Sequence, residues 1–195
     1  MKIINHSIVT ELISMDLAYH SVESVTRMQS EGSVYLKPRT TQNIVIGGAA
    51  GCFPPVIAWV GIIGYEGLFN LSPWFMFLIV FLWTPPHFWA LGILMKDDYE
   101  RANIPMLPVV HGMKRVTAEI FIYSISISIT VILFWWFSTL GMVFLVFSLI
   151  NGLIYSGFCY KLLVNKDRNS ARSAYLFSLL YLALIFLFII IDTLV

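Results

Sequence analysis

Lys96, Asp97, Asp98, Glu100 and Arg101 crowd together at the end of an apolar run. Adjacent carboxylates repel unless a cation sits between them, so Asp97-Asp98 points to a divalent metal. Mg²⁺ typically takes about one or two carboxylates and completes its shell with substrate phosphates. Lys96 and Arg101 are then placed to hold the anionic ligand directly. The competing reading is a solvated interfacial loop whose charges only set topology. Topology needs cations, however, and not three carboxylates side by side. A second chemical residue, His87, lies within the apolar run itself, where an ionisable side chain is costly and marks a site. Eleven residues separate it from Asp98. On a regular helix that is about three turns, ~16 Å, within ~20° of one face. Trp83 and Leu91 share this stripe, so one face is expected to run from the carboxylates past Leu91 to His87 and Trp83. The pattern describes a charged mouth on an apolar, aromatic cavity. For His87 a packing role, bonded to a carbonyl freed by Pro85-Pro86, stays open.

The elements that must position these groups are membrane helices. Apolar residues make up 58% of the 195-residue chain and charged residues 12%, against roughly 25% charged in ordinary globular proteins. Several apolar runs reach the ~20 residues needed to cross a bilayer core. The fold expected is therefore all-α and integral to the membrane, with five spans at about 43–64, 73–95, 116–137, 140–161 and 173–191. Gly47 and Gly51 share a face and permit close helix packing. Pro54-Pro55 break the first span, and residues 138–141 form the turn between the third and fourth. The tail of the charged loop, residues 104–108, is either a re-entrant cap or an interfacial linker, and His111 is expected at the surface.

All twelve Lys and Arg (2, 27, 37, 39, 96, 101, 114, 115, 161, 166, 168, 172) fall on one side of a five-span chain. The positive-inside rule puts the N-terminus and the 96–115 loop in the cytoplasm. Residues 1–34 form a separate cytoplasmic segment with no run long enough to span, although Ile8, Leu12 and Met15 allow a short amphipathic helix. No short apolar leader with a small-residue cleavage site is visible there. The net charge of +1, with no basic patch interleaved with aromatics, gives no sign of a nucleic-acid partner. Cys52 and Cys159 lack metal-ligand or redox spacing and read as small buried apolar residues.

The stretches IVIGGAAGCFPPVIAW (44–59), FLWTPPHFWAL (81–91) and KDDYERANIPMLPVVHG (96–112) resemble the protoheme IX farnesyltransferases, heme O synthases of the UbiA superfamily of intramembrane prenyltransferases. LKPRTTQN (36–43) is similar to the family's basic segment before the glycine-rich span, and AYLFSLLYLALIF (174–186) to its last span. The resemblance covers residues 35–195. It implies helices five to nine of a nine-helix bundle in the cell inner membrane. It also implies transfer of a farnesyl group from farnesyl diphosphate to a vinyl group of heme B, with Mg²⁺ and an apolar pocket stabilising the charge that develops. By the same resemblance Asp97 and Asp98 bind the metal. Lys96, Tyr99 and Arg101, with Lys37 and Arg39, contact substrate. His87 and Trp83 face heme B or the reacting carbons.

The sequence also departs from the superfamily. It has no match to the first acidic motif, Asn-x-x-x-Asp-x-x-x-Asp, and Asp16 stands alone. In the second motif Arg101 and Ala102 follow where Asp-x-x-x-Asp would have an aspartate. Half the metal ligands and much of the bundle wall are then expected to come from elsewhere, either a separate N-terminal half or a homo-oligomer, and this chain alone is expected to be inactive. The alternatives are a non-enzymatic heme-binding or oxidase-assembly membrane protein using His87, or a product without function. A transporter fits poorly with five spans and one charged site.

Overall fold

A computed structural model of the chain describes residues 40–194. The amphipathic segment near the N-terminus, Lys37 and Arg39 lie outside the described residues. Within them every regular element is helical: α1 (Asn43–Gly51), α2 (Pro54–Ile63), a 3-10 turn (Tyr65–Phe69), α3 (Leu71–Leu94), α4 (Lys96–Arg101), α5 (Leu107–Val110), α6 (Gly112–Phe137), α7 (Met142–Asn165) and α8 (Arg168–Leu194). Five stretches are long and apolar enough to cross a membrane: α1 with α2 taken together, α3, α6, α7 and α8. The chain is an all-α, multi-pass membrane protein. Helices α6 and α8 begin at Gly112 and Arg168, several residues before the spans expected at 116 and 173. Hydropathy marks the part of a helix inside hydrocarbon, whereas backbone hydrogen bonding continues into the polar interface.

The two proline pairs behave differently. Before Pro54-Pro55 the first span stops: Cys52 closes α1 through its backbone N–H to Ala49 O, and the prolines open α2 where missing N–H groups cost little. Pro85-Pro86 instead lie inside a continuous α3. Both are buried against neighbouring helices, which tolerate the freed carbonyls.

Helices α3, α6, α7 and α8 close into a ring, each packing on the next and α8 returning to α3. The first span packs chiefly on α3. Lipid tails are as apolar as leucine, so small residues and polar contacts hold such helices together. Gly152 brings α7 against Ser128 of α6, where an added Cβ would sit 2.9 Å from the serine hydroxyl. Asn151 Nδ2 donates to Tyr181 O at 3.1 Å across the α7–α8 seam. The outer surface is apolar, with Ile62, Trp136 and Leu153 all more than two-thirds exposed. Cys52 and Cys159 are buried free thiols, as expected.

The close contact of the first span is not made by the face expected. Gly47 and Gly51 have open space around them, while Gly48 meets α3, an added Cβ falling 2.8 Å from Thr84 Cγ2. Periodicity shows which glycines share a face but not which face meets a partner. Thr84 cannot swing away freely, since its hydroxyl donates to Val80 O at 2.8 Å. Gly48→Ala is therefore expected to cost about 1–3 kcal/mol by overpacking, and Gly47→Ala little. Thermal unfolding of the two variants in detergent checks the contrast.

A two-residue turn joins α7 to α8. Lys166 closes α7 in the left-handed region at φ 54°. Asp167 then caps α8, accepting from Ser170 N at 2.7 Å and from the Ser170 hydroxyl at 3.1 Å. The Ser170 backbone N–H, more than any other group, holds the Asp167 carboxyl below the usual carboxylate range. The unfolded chain then takes up this proton more readily than the folded one. The cap's contribution is thus complete above the ordinary aspartate value of ~3.9 and is lost as pH falls through the lower folded value. Melting curves between mildly and strongly acidic pH are expected to fall less steeply for Asp167→Asn than for the parent chain.

Candidate functional site

The charged segment begins where α3 stops being regular. Met95, at φ −105° and ψ 23°, separates α3 from α4. The single regular face expected from His87 to Asp98 is therefore interrupted, and the two ends of the stripe belong to different helices. A tertiary contact favours the break. Arg168, at the start of α8, donates from NH2 to Leu94 O at 2.6 Å, satisfying a carbonyl that the ending helix leaves free.

On α4 the charges are exposed, and all but Asp97 pair with one another. Lys96 Nζ lies 3.4 Å from Glu100 Oε1, and Arg101 NH2 lies 3.1 Å from Asp98 Oδ1. Such surface pairs are worth roughly 0–1 kcal/mol and exchange readily for a ligand. The Asp97 carboxylate has no ion partner among the described residues; only its backbone carbonyl is used, accepting from Arg101 Nε at 3.3 Å. Tyr99 is half-buried beside them. Among the described residues no three His, Cys, Asp or Glu side chains cluster into a metal cage. Two neighbouring carboxylates open to water suit Mg²⁺ that arrives with a phosphate-bearing substrate, rather than a resident ion.

The segment after α4 folds back onto the bundle. Met106 and Leu107 are almost wholly buried, and Pro108 packs on Gly92 of α3, 3.2 Å from where a Cβ would be. Asn43 Nδ2 reaches Met106 Sδ at 3.5 Å, tying the start of α1 to the same corner. Residues 106–108 thus pack onto the bundle, and residues 107–110 turn helical after Met106. His111 is exposed, as expected.

His87 is buried in mid-span in an aromatic setting. Trp83 stacks on its ring at 4.4 Å and 21°, Tyr175 of α8 covers it at 4.9 Å, and Phe88 meets it edge-on at 5.2 Å. Its Nδ1 lies 2.7 Å from the Ser178 hydroxyl. That hydroxyl has one hydrogen and donates it to Tyr175 O at 2.6 Å. The serine oxygen then accepts from His87 Nδ1–H, leaving the lone pair on Nε2. Trp83 Nε1 donates to Ser178 O at 2.8 Å, so one serine orients both residues. The freed-carbonyl partner considered for His87 is replaced by this hydroxyl. Sequence reasoning missed Ser178 and Tyr175 as partners. The available signal was a serine in the middle of an apolar span, inside the 174–186 stretch.

A groove of about 380 Å³ lies between α1 and α3, lined by Ile44, Gly47, Gly48, Gly51, Val80, Trp83, Thr84 and Phe88, with Asn43 at its polar end. Open glycine surface and apolar walls give it room for a hydrocarbon chain. Trp83 belongs to both this groove and the histidine stack. No carboxylate lines it, and Leu91 is not part of it. The structure thus brings together Trp83 with His87, Lys96 with Glu100, and Asp98 with Arg101, but it does not join the aromatic and charged groups in one continuous cavity.

Comparison with known proteins gives a consistent result. The chain matches the UbiA prenyltransferase family over residues 18–189, a range that takes in part of the segment before residue 35. It is 40% identical over 197 aligned residues to the protoheme IX farnesyltransferase of Leptospira biflexa serovar Patoc, covering 99% of this chain and 67% of that protein. It is 44% identical over 167 residues to the same-named protein of Leptospira interrogans, covering 84% and 56%. With that of Microcystis aeruginosa it shares 42% over 161 residues, covering 82% and 50%. The chain therefore spans between half and two thirds of the length of these curated relatives. No solved structure matches it.

Proposed function

Because the chain belongs to the UbiA prenyltransferase family, we propose that it supplies the second acidic motif and the heme-facing wall of an enzyme that transfers a farnesyl group from farnesyl diphosphate to a vinyl group of protoheme IX. The observation that carries this reading is the exposed Lys96–Arg101 turn, set at the polar end of the helix that buries His87. A diphosphate can stay in water at that turn while its prenyl tail lies in hydrocarbon. Asp97 and Asp98 hold Mg²⁺ borne by the diphosphate, and Lys96 and Arg101 leave their surface partners to contact its oxygens. Tyr99, Lys37 and Arg39 complete the substrate contacts. The metal, when bound, neutralises charge on the leaving group.

In the reaction the allylic C–O bond breaks, its electron pair leaving with diphosphate. A C–C bond forms to the vinyl carbon, and water adds a hydroxyl while losing a proton. The groove beside Trp83 shields the allylic carbon from premature attack by water. Nε2 of His87 offers its lone pair toward the heme. The membrane is the cell inner membrane, with the 96–115 loop cytoplasmic.

The first acidic motif is not in this sequence, so the remaining ligands come from further polypeptide. Purified chain in nanodiscs, given farnesyl diphosphate, reduced heme B and Mg²⁺, is expected to form heme O only when helices bearing Asn-x-x-x-Asp-x-x-x-Asp are co-expressed. Product from the chain alone would overturn the incomplete site, and no product in either case would overturn the enzymatic reading. The His87 stack also favours a second reading, heme binding without chemistry. That reading requires heme retention together with no turnover when the complementary helices are present.

A further inference from the structure

The outer seam between α6 and α7 ends in a pocket that neither the acidic turn nor the histidine stack uses. It measures about 630 Å³ and is lined by His111, Lys114, Arg115, Ala118, Leu163 and Lys166. Its polar side chains are three cations, Lys114, Arg115 and Lys166, and one imidazole, His111. Arg115 Nε is engaged with Glu119 Oε1 at 2.8 Å, and its NH1 donates to His111 Nδ1 at 3.4 Å. The imidazole then carries its hydrogen on Nε2. Lys114 and Lys166 have no ion partner among the described residues. No carboxylate lines the pocket. Lys166 occupies a left-handed cap position that glycine or asparagine normally fills.

Depth and surroundings narrow the ligand. The pocket lies at the start of α6 and the end of α7, on the same membrane face as the acidic turn. Its inner wall is Ala118 and Leu163. Lys114, Ala118 and Phe121 follow one stripe of α6 at helical spacing. Phe121 packs on Tyr160 of α7 at 5.8 Å, about 10 Å deeper along the seam. An aromatic pair at that level is typical of the boundary between headgroups and acyl chains. Beyond it the seam is bare and apolar, with Ile125, next on the α6 stripe, 40% and Leu153 of α7 73% exposed. Donors, then aromatics, then apolar surface is the sequence of environments along a phospholipid.

We propose that this pocket binds the phosphate of an anionic membrane lipid, whose acyl chains run down the α6–α7 seam. The site is independent of farnesyl transfer. Basic pockets between spanning helices on this face recognise such headgroups, each surface lysine strengthening binding by about fivefold.

The test is native mass spectrometry of the full chain in detergent with dioleoylphosphatidylglycerol or dioleoylphosphatidylcholine. Phosphatidylglycerol is expected to be retained preferentially, and Lys114→Gln with Lys166→Gln to weaken retention by about 25-fold. The control pair Lys161→Gln with Arg172→Gln removes two exposed cations outside the pocket and is expected to leave retention within about twofold. All four residues are exposed, so folding is spared. Equal retention of the two lipids, or equal loss in the control pair, would overturn the proposal. Displacement of the lipid by millimolar inorganic phosphate would make free phosphate the ligand and overturn it as well.

Discussion

Replacing both Asp97 and Asp98 with asparagine is expected to lower farnesyl transfer by the assembled enzyme about 10²–10³-fold, the loss typical of removing a preorganised electrostatic stabiliser. In the proposed site the two carboxylates act on one ion, so the double variant is expected to lose little more than the worse single one. Folding is not at issue, because Asp98 is 60% exposed and its pair with Arg101 lies on the surface. Heme O formed per minute, measured by mass spectrometry across a Mg²⁺ titration, reads the effect. The parent should saturate with Mg²⁺, and the double variant should not recover at any concentration. A double variant within about tenfold of the parent would remove α4 from the metal site.

The second large effect concerns His87. His87→Phe keeps an aromatic ring between Trp83 and Tyr175 but removes both ring nitrogens. Heme affinity, followed by the Soret band in nanodiscs, is expected to collapse in this variant. Ser178→Ala is the informative companion. It leaves the imidazole in place and removes the acceptor that fixes its hydrogen on Nδ1. Loss of such an orienting partner costs about 10–100-fold in metal affinity. If His87→Phe binds heme as the parent does, His87 is a packing residue and the heme-facing assignment fails.

How much of this was legible in the sequence follows from range. The five spans are written in local composition, and the turn at 138–141 lies between helices ending at Phe137 and starting at Met142. Tyr175 and Ser178 were not legible as partners of His87, since the Ser178 contact joins residues 91 positions apart. Which glycine packs, Gly48 rather than Gly47 or Gly51, depends on how α1 is rotated against α3. The break at Met95 has the same origin: apolar periodicity runs on to Lys96, and the groups that end α3 there include an arginine on α8.

Arg168, Tyr175 and Ser178 all reach from α8 to α3, one at its last carbonyl and two at its buried histidine. The segments joined this way are among the most distant in the chain, so the grip does not depend on the peptide bonds between them. A protease nick at the exposed Ala102–Asn103 turn would leave both pieces clasped, with the histidine stack intact. The same clasp would let the protein be inherited, expressed or engineered in fragments that find each other in the bilayer.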